Sequence, residues 1–412
     1  MSHNSTRNLI DVAAGRKPAD FVLKNGRIVN VVSNEIHKGD IAIVGGRIAG
    51  IGTYRADRTV DLGGKHICPG FIDAHVHIES SMLAVQEYAR VVAACGTTAV
   101  VADPHEFANV MGIEGISYVL KTSEGAPIRV YVTLSSCVPA SPLESAGATL
   151  EADDLRQFLS HPRVVGLAEM MNYPGVINGD AGVLAKLSMC EGRIIDGHAP
   201  SLSGNLLNAY AASGIMSDHE CIRAEEAAEK LRLGLSIMIR EGSQTRNLAA
   251  LLPLVTPATA DRFMFCTDDK DVRDLIDEGH IDYMIRTAIA GGLDPILAIR
   301  LATWNTARYF RMHGAGAILP GYRADLVVLD DLKTCKVADV YVDGVKTVEG
   351  GRCISPTVRL TGKDGRDTVH ISKLSKSDTR IVADQSHSRK IHVIEVLDNR
   401  IDTERSIVEG PL

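Results

Sequence analysis

The chain has 412 residues, 45% hydrophobic and 23% charged, with a formal net charge of -7. That length exceeds what one hydrophobic core usually organises, so a large domain plus a smaller one is expected. The acidic balance argues against a nucleic-acid surface, which would carry a basic stripe. No apolar run approaches the ~18 residues needed to span a bilayer, and the opening MSHNSTRNLIDVAAGRKPAD lacks the apolar core of a signal peptide, so a cytoplasmic protein with no membrane partner is expected.

From the N-terminus, residues 20 to 66 give short alternating runs, ADFVLKNGRIVNV and DIAIVGGRIAGIG, with hairpin reversals expected at Asn25-Gly26 and Gly45-Gly46. Similar runs return at GAILPGYRADLVVLD and VADVYVDGVKTVEGG. Residues 1–66 and 311–355 are therefore read as one composite β-sandwich domain. Between them, over 67–310, eight strand-like segments alternate with helical patterns: HICPGFID, TTAVVAD, IRVYVTL, VVGLAEM, RIIDGH, IMSDHE, LSIMIREG and FMFCTDD. The fold class is α/β, a (β/α)8 TIM-like barrel. A doubly wound open sheet is the alternative, but no Gly-rich phosphate fingerprint follows the first strand. Residues 356–412 turn polar and then give a β-like run, KIHVIEVLDN, read as a C-terminal extension or the start of a third domain. The eight cysteines form no CxxC pair and are read mostly as small buried hydrophobes.

The ionisable residues sort onto one end of this barrel. In an extended strand, residues i and i+2 point to one side, so His75 and His77 of FIDAHVHIE can meet one metal ion. Glu169 ends the fourth strand, His198 the fifth, His219 the sixth and Asp268 the eighth. These are carboxyl ends, where barrel enzymes keep their chemistry. Nitrogen and oxygen donors without thiolates suit Zn2+, Mn2+ or Fe2+. Glu169, placed between the His pair and the later histidines, can bridge two ions; a water shared by them loses a proton near neutral pH, and Asp268 can accept it. On the same rim lie Asp103, His105, Glu106, Arg240 and Glu241, with Asp218, Glu220 and Asp269 beside the ligands and expected to orient them. Ser135 and Ser136 lack a GxSxG elbow. The HxE and PCxxC signature of nucleic-acid deaminases is missing, so a free base is the expected type of substrate.

With these residues in view, the chain resembles a metal-dependent amidohydrolase, through FIDAHVHIE, His198, His219, the Asp of FCTDD and GAILPGYRADLVVLD. Within that superfamily it resembles the adenine deaminase family, through HIESSML, VVADPHEFANVMG, GLAEMMNYPGV, DGHAPSLSG, SDHE, IMIREGS and CTDDK. The likeness runs over roughly residues 8 to 410. It implies metal-assisted conversion of adenine and water to hypoxanthine and ammonia, with His75, His77, Glu169, His198, His219 and Asp268 holding two divalent ions, Mn2+ or Fe2+ with Zn2+ as the other choice. Glu169 stands where many relatives use a carboxylated lysine, which lowers the expectation of a cyclic-amide hydrolase. Water addition at C6 is eased by an acid at the neighbouring ring nitrogen; Glu241 or Glu106 could serve, and His105 is a candidate proton shuttle or extra ligand. The superfamily habit suggests a homo-oligomer, a dimer in the first place. The other readings are an amidohydrolase acting on an amide or a different amino-substituted heterocycle, and a non-catalytic metal-binding barrel.

Overall fold

The computed structural model describes residues 3–141, 143–356, 358, 368, 370–380, 390–398 and 403–409. Asn25-Gly26, expected to reverse a hairpin, lies instead inside one strand, Ala19–Asn30. Asn25 takes a left-handed φ of 57°, the register against Glu35–Val44 shifts between Leu23 and Gly26, and the Asn25 amide donates to Asp40 Oδ1. A bulge absorbs the turn signal. Gly45-Gly46 does reverse the chain, between Glu35–Val44 and Arg47–Ile51.

These strands belong to a nine-stranded sheet that draws on both ends of the sequence. Its seam is His66–Pro69, parallel to Ala19–Asn30 on one side and antiparallel to Leu326–Asp331 on the other. Leu23, Ile41, Ile43, Leu326 and Val328 share one core, in which the Phe21 and Tyr341 rings stack at 6.1 Å. Each such side chain contributes about 1.5–3 kcal/mol by leaving water. A helix at His3–Ala13, not foreseen from the sequence, closes the other face: Leu9, Val12 and Ala13 pack with Val22, Ala42 and Ala49. Their i, i+3, i+4 spacing is the signal that marks it.

The expected first barrel strand, HICPGFID, is in fact two strands. His66–Pro69 stays in the large sheet, and the chain crosses at Gly70 into Phe71–Val76. A Cβ on Gly70 would stand 2.1 Å from Thr98 Oγ1, so a side chain there would block the crossing.

The barrel strands are β1 (Phe71–Val76), β2 (Thr97–Ala102), β3 (Arg129–Leu134), β4 (Val164–Met170), β5 (Ile194–Gly197), β6 (Ser217–Asp218), β7 (Ser236–Arg240) and β8 (Phe263–Cys266). β1 to β5 form one parallel arc and β6 to β8 another. Met216 N–H to Ile195 O (2.9 Å) joins them on one side; Asp268 N–H to His75 O (2.9 Å) and His77 N–H to Asp268 O (3.1 Å) join them on the other. The fold is thus a (β/α)8 barrel beside a smaller β domain, and β6 is shorter than the expected IMSDHE. Ile72, Ala99, Val101, Met238 and Met264 cluster with Phe310 and Met312 in one core, while a larger aliphatic core packs strands against helices. All eight cysteines are free, six of them buried.

Residues 356–412 lie partly outside the described residues; within them Lys390–Val396 and Thr403–Glu409 pair as an antiparallel hairpin. Among the described residues no helix is long and apolar enough to cross a membrane.

Candidate metal centre

Six side chains from five strand ends converge at the carboxyl mouth of the barrel. His75 lies at the end of β1 and His77 just past it, and their rings meet edge to face at 4.9 Å. The His75 ring stacks on His219 at 4.4 Å, and His219 lies 5.2 Å from His198. Glu169 sits between the two halves: Oε1 is 3.3 Å from His77 Nε2, while Oε2 is 2.5 Å from His198 Nδ1 and 3.1 Å from His219 Nε2. Asp268 Oδ1 is 3.3 Å from His77 Nε2 and 3.6 Å from His75 Nε2.

This donor set suits cations. The ligand atoms fall into overlapping groups, His75, His77 and Glu169; His75, His219 and Asp268; and Glu169, His198 and His219, each spanning no more than 4.8 Å. His75 Nε2 and His219 Nε2 are buried without a hydrogen-bond partner; the 3.1 Å approach of His219 to Glu169 is too poorly aligned to count as one. Two orphaned imidazole nitrogens beside two carboxylates are a donor arrangement that cations between them would satisfy. Glu169 is the carboxylate shared by both sides.

Charge holds the carboxylates ionised. Burial alone would raise the pKa of Asp268, but the Arg240 guanidinium and the His75 and His77 rings overcome it and keep the carboxyl well below its usual range. For Glu169, burial is likewise outweighed, here by His198, His219 and His77. Asp268 itself has φ of 54°, a left-handed conformation that Asp tolerates better than most residues.

Surrounding groups fix the histidines. The Asp103 carbonyl accepts from His77 Nδ1 at 3.1 Å, which leaves Nε2 facing the site. Asp218 accepts from Ala199 N–H and Glu220 N–H, the neighbours of His198 and His219, at 2.8 and 2.7 Å. Asp218 is in turn paired with fully buried Lys230 at 3.2 Å, which also binds Glu226 at 2.8 Å. Lys230→Met is expected to leave Asp218 uncompensated and cost about 3–5 kcal/mol of stability; chemical denaturation measures it, and an unchanged midpoint would contradict this role. A Cβ on Gly197 would come within 2.2 Å of Ser217 O, so the approach of β5 to β6 beneath both histidines depends on glycine.

The remaining expected residues divide. His105 is buried beside the centre, with Nδ1 3.9 Å from Glu169 Oε1 and Nε2 on the Cys137 carbonyl at 2.8 Å. Glu106 is half exposed, its Oε2 3.5 Å from His77 Nδ1. Glu241 is not gathered into these ligand groups: its Oε2 accepts from Leu248 N–H at 3.0 Å, and burial raises its pKa. Glu241 follows β7, and the backbone turn after Arg240 brings its carboxylate to the 242–248 loop. Of the residues expected to orient ligands, Glu220 takes Arg240 in a two-point pair (2.5 and 2.9 Å) and Asp269 takes Ser80. Glu79, left without a role in the sequence reading of HIESSML, is brought beside His77 and Glu106 and accepts from Glu106 N–H at 3.0 Å. Arg240, noted only as a rim cation, grips Asp268 Oδ2 as well as Glu220. A lone charge ending the apolar strand SIMIR was its signal.

A parallel barrel with a His-rich, carboxylate-bridged centre at its mouth defines a class, and the chain belongs to the amidohydrolase family, whose sequence profile matches residues 66–347. The N-acetyl-D-glucosamine-6-phosphate deacetylase of Mycobacterium smegmatis shares its fold, with a TM-score of 0.61 over 80% of this chain and 100% of that one at 17% identity. Within the family its curated relatives are adenine deaminases. That of Desulfatibacillum aliphaticivorans is 54% identical over 345 residues, 83% of this chain and 61% of the relative. Adenine deaminase 2 of Carboxydothermus hydrogenoformans is 46% identical over 406 residues, 98% of this chain and 71% of the relative.

Proposed function

We propose that the protein is an adenine aminohydrolase, converting adenine and water to hypoxanthine and ammonia. The observation that carries this reading is the Glu169-bridged cluster of His75, His77, His198, His219 and Asp268, in a chain similar to adenine deaminases over nearly its whole length. Two divalent ions, Mn2+, Fe2+ or Zn2+, held by those six residues, would supply an acidified water as the nucleophile.

The chain's own groups then manage protons. Asp268 divides its oxygens between tasks: Oδ2 is anchored by Arg240, and Oδ1 faces His75 and His77, where it can take the proton released by the attacking water. As oxygen adds at C6, the neighbouring ring nitrogen gains a proton. Glu106, half exposed on the His77 side of the mouth, is better placed to give it than Glu241, whose Oε2 is occupied by Leu248. Proton return from Asp268 to the amino group lets the C6–N bond break and ammonia leave, and the proton of the C6 hydroxyl returns to Glu106 as the carbonyl of hypoxanthine forms. His105, between Glu169 and the Cys137 carbonyl, falls with Asp103 and Glu169 in a further group of possible ligand atoms and serves as an extra ligand or a proton shuttle.

Purified, metal-replete protein should release ammonia and hypoxanthine in equal amounts from adenine. Ammonia-free incubations with adenine, or turnover only of cyclic amides in a substrate panel, would overturn the assignment.

A further inference from the structure

At the opposite end of the barrel, two cavities of about 390 and 400 Å³ open on the amino-terminal side of β6 to β8, and a third of about 220 Å³ adjoins them beside residues 304–315. Arg308 lines all three. Arg262 and Arg311 each line two, and Arg300 lines the largest. Against these four cations the cavities offer one carboxylate, Asp261, and Arg300 already holds it at 2.5 Å. Among the described residues Arg308, Arg262 and Arg311 have no carboxylate partner. Arg262 and Arg311 donate to the Gly234 and Gly192 carbonyls, at 3.2 and 2.7 Å. Arg300 Nε is buried with no hydrogen-bond partner at all.

Two further features mark the place. Helical residues 295–309 are interrupted by a π-helical turn, Leu301–Asn305, a distortion frequent at functional sites. That turn carries Trp304, the chain's single tryptophan, which lines two of the cavities with Arg308 lying 5.6 Å over its ring. Tyr309, on the same helical stretch, donates to Asp196 Oδ1 at 2.7 Å, so the cavities lie one hydrogen bond from the strand that leads to His198.

We propose that this arginine-lined floor is a binding site for a phosphate-bearing ligand, separate from the metal centre. Several guanidinium groups without carboxylates match the oxygens of a phosphate. Free phosphate and a nucleotide share this chemistry.

The test is calorimetry on the metal-replete full chain at constant ionic strength, with inorganic phosphate, ribose 5-phosphate, AMP and adenosine as probes. Phosphate-bearing probes should bind, and Arg308→Ala, a substitution of an exposed residue, should weaken them by about tenfold or more with an unchanged melting temperature. Arg262→Ala, on a different segment, should act in the same direction and serves if Arg308→Ala perturbs folding. Equal affinities of ribose 5-phosphate and AMP assign the phosphate alone; tighter binding of AMP adds a contact to the base. No binding, or binding indifferent to both substitutions, would refute the floor site, and loss of that binding on metal removal would assign the anion to the metals.

Discussion

Asp268→Asn is expected to lower adenine turnover by about 10²–10⁴-fold, the range supplied by a positioned proton-transfer group. The substitution keeps shape and hydrogen-bonding span, and Asn tolerates the left-handed φ of 54° as well as Asp does, so the loop after β8 should be retained. What changes is charge. Oδ1 would no longer face His75 and His77 as an anion able to take a proton, and Arg240 would be left with Glu220 as its only carboxylate. The informative readout pairs the rate with metal content. Retained metal with collapsed kcat identifies a proton carrier; metal loss in proportion to activity identifies a ligand alone. Near wild-type turnover would remove Asp268 from the mechanism.

The parts of the site that were legible in the sequence are those set by local geometry. His75 and His77 share a side because a strand alternates, and Glu169, His198, His219 and Asp268 could be placed because a barrel gathers strand ends onto one face. What the sequence did not disclose depends on contacts between segments far apart. Asn25-Gly26 carries the residues of a hairpin, yet Asp40 and the pairing with Glu35–Val44 turn it into a bulge. HICPGFID reads as one apolar run, but Gly70 divides it because its two halves pair with different sheets. Lys230 looks like one more solvated charge on a helix rich in Glu and Lys; only the fold shows it buried against Asp218. The same limit applies to Glu241, which shares a strand end with Arg240: Arg240 binds Asp268, and Glu241 Oε2 accepts from Leu248 N–H.

Glu169→Gln should have the largest effect, since a single side chain serves both halves of the centre. Its Oε1 faces His77 and its Oε2 faces His198 and His219. Glutamine fills the same space but offers one oxygen and one NH2 group, and the NH2 has no lone pair for a cation. Whichever way the amide turns, one half of the centre loses its carboxylate donor and the pair of sites loses its shared negative charge. Bound metal should fall from two ions toward one per chain, and turnover by at least about 10³-fold. Atomic emission on dialysed protein gives the first quantity and ammonia release the second. A Gln variant that keeps two ions would show that Glu169 is not the bridge. In that case His105, 3.9 Å from Glu169 Oε1 and grouped with it and Asp103, would be the next residue to test as a ligand.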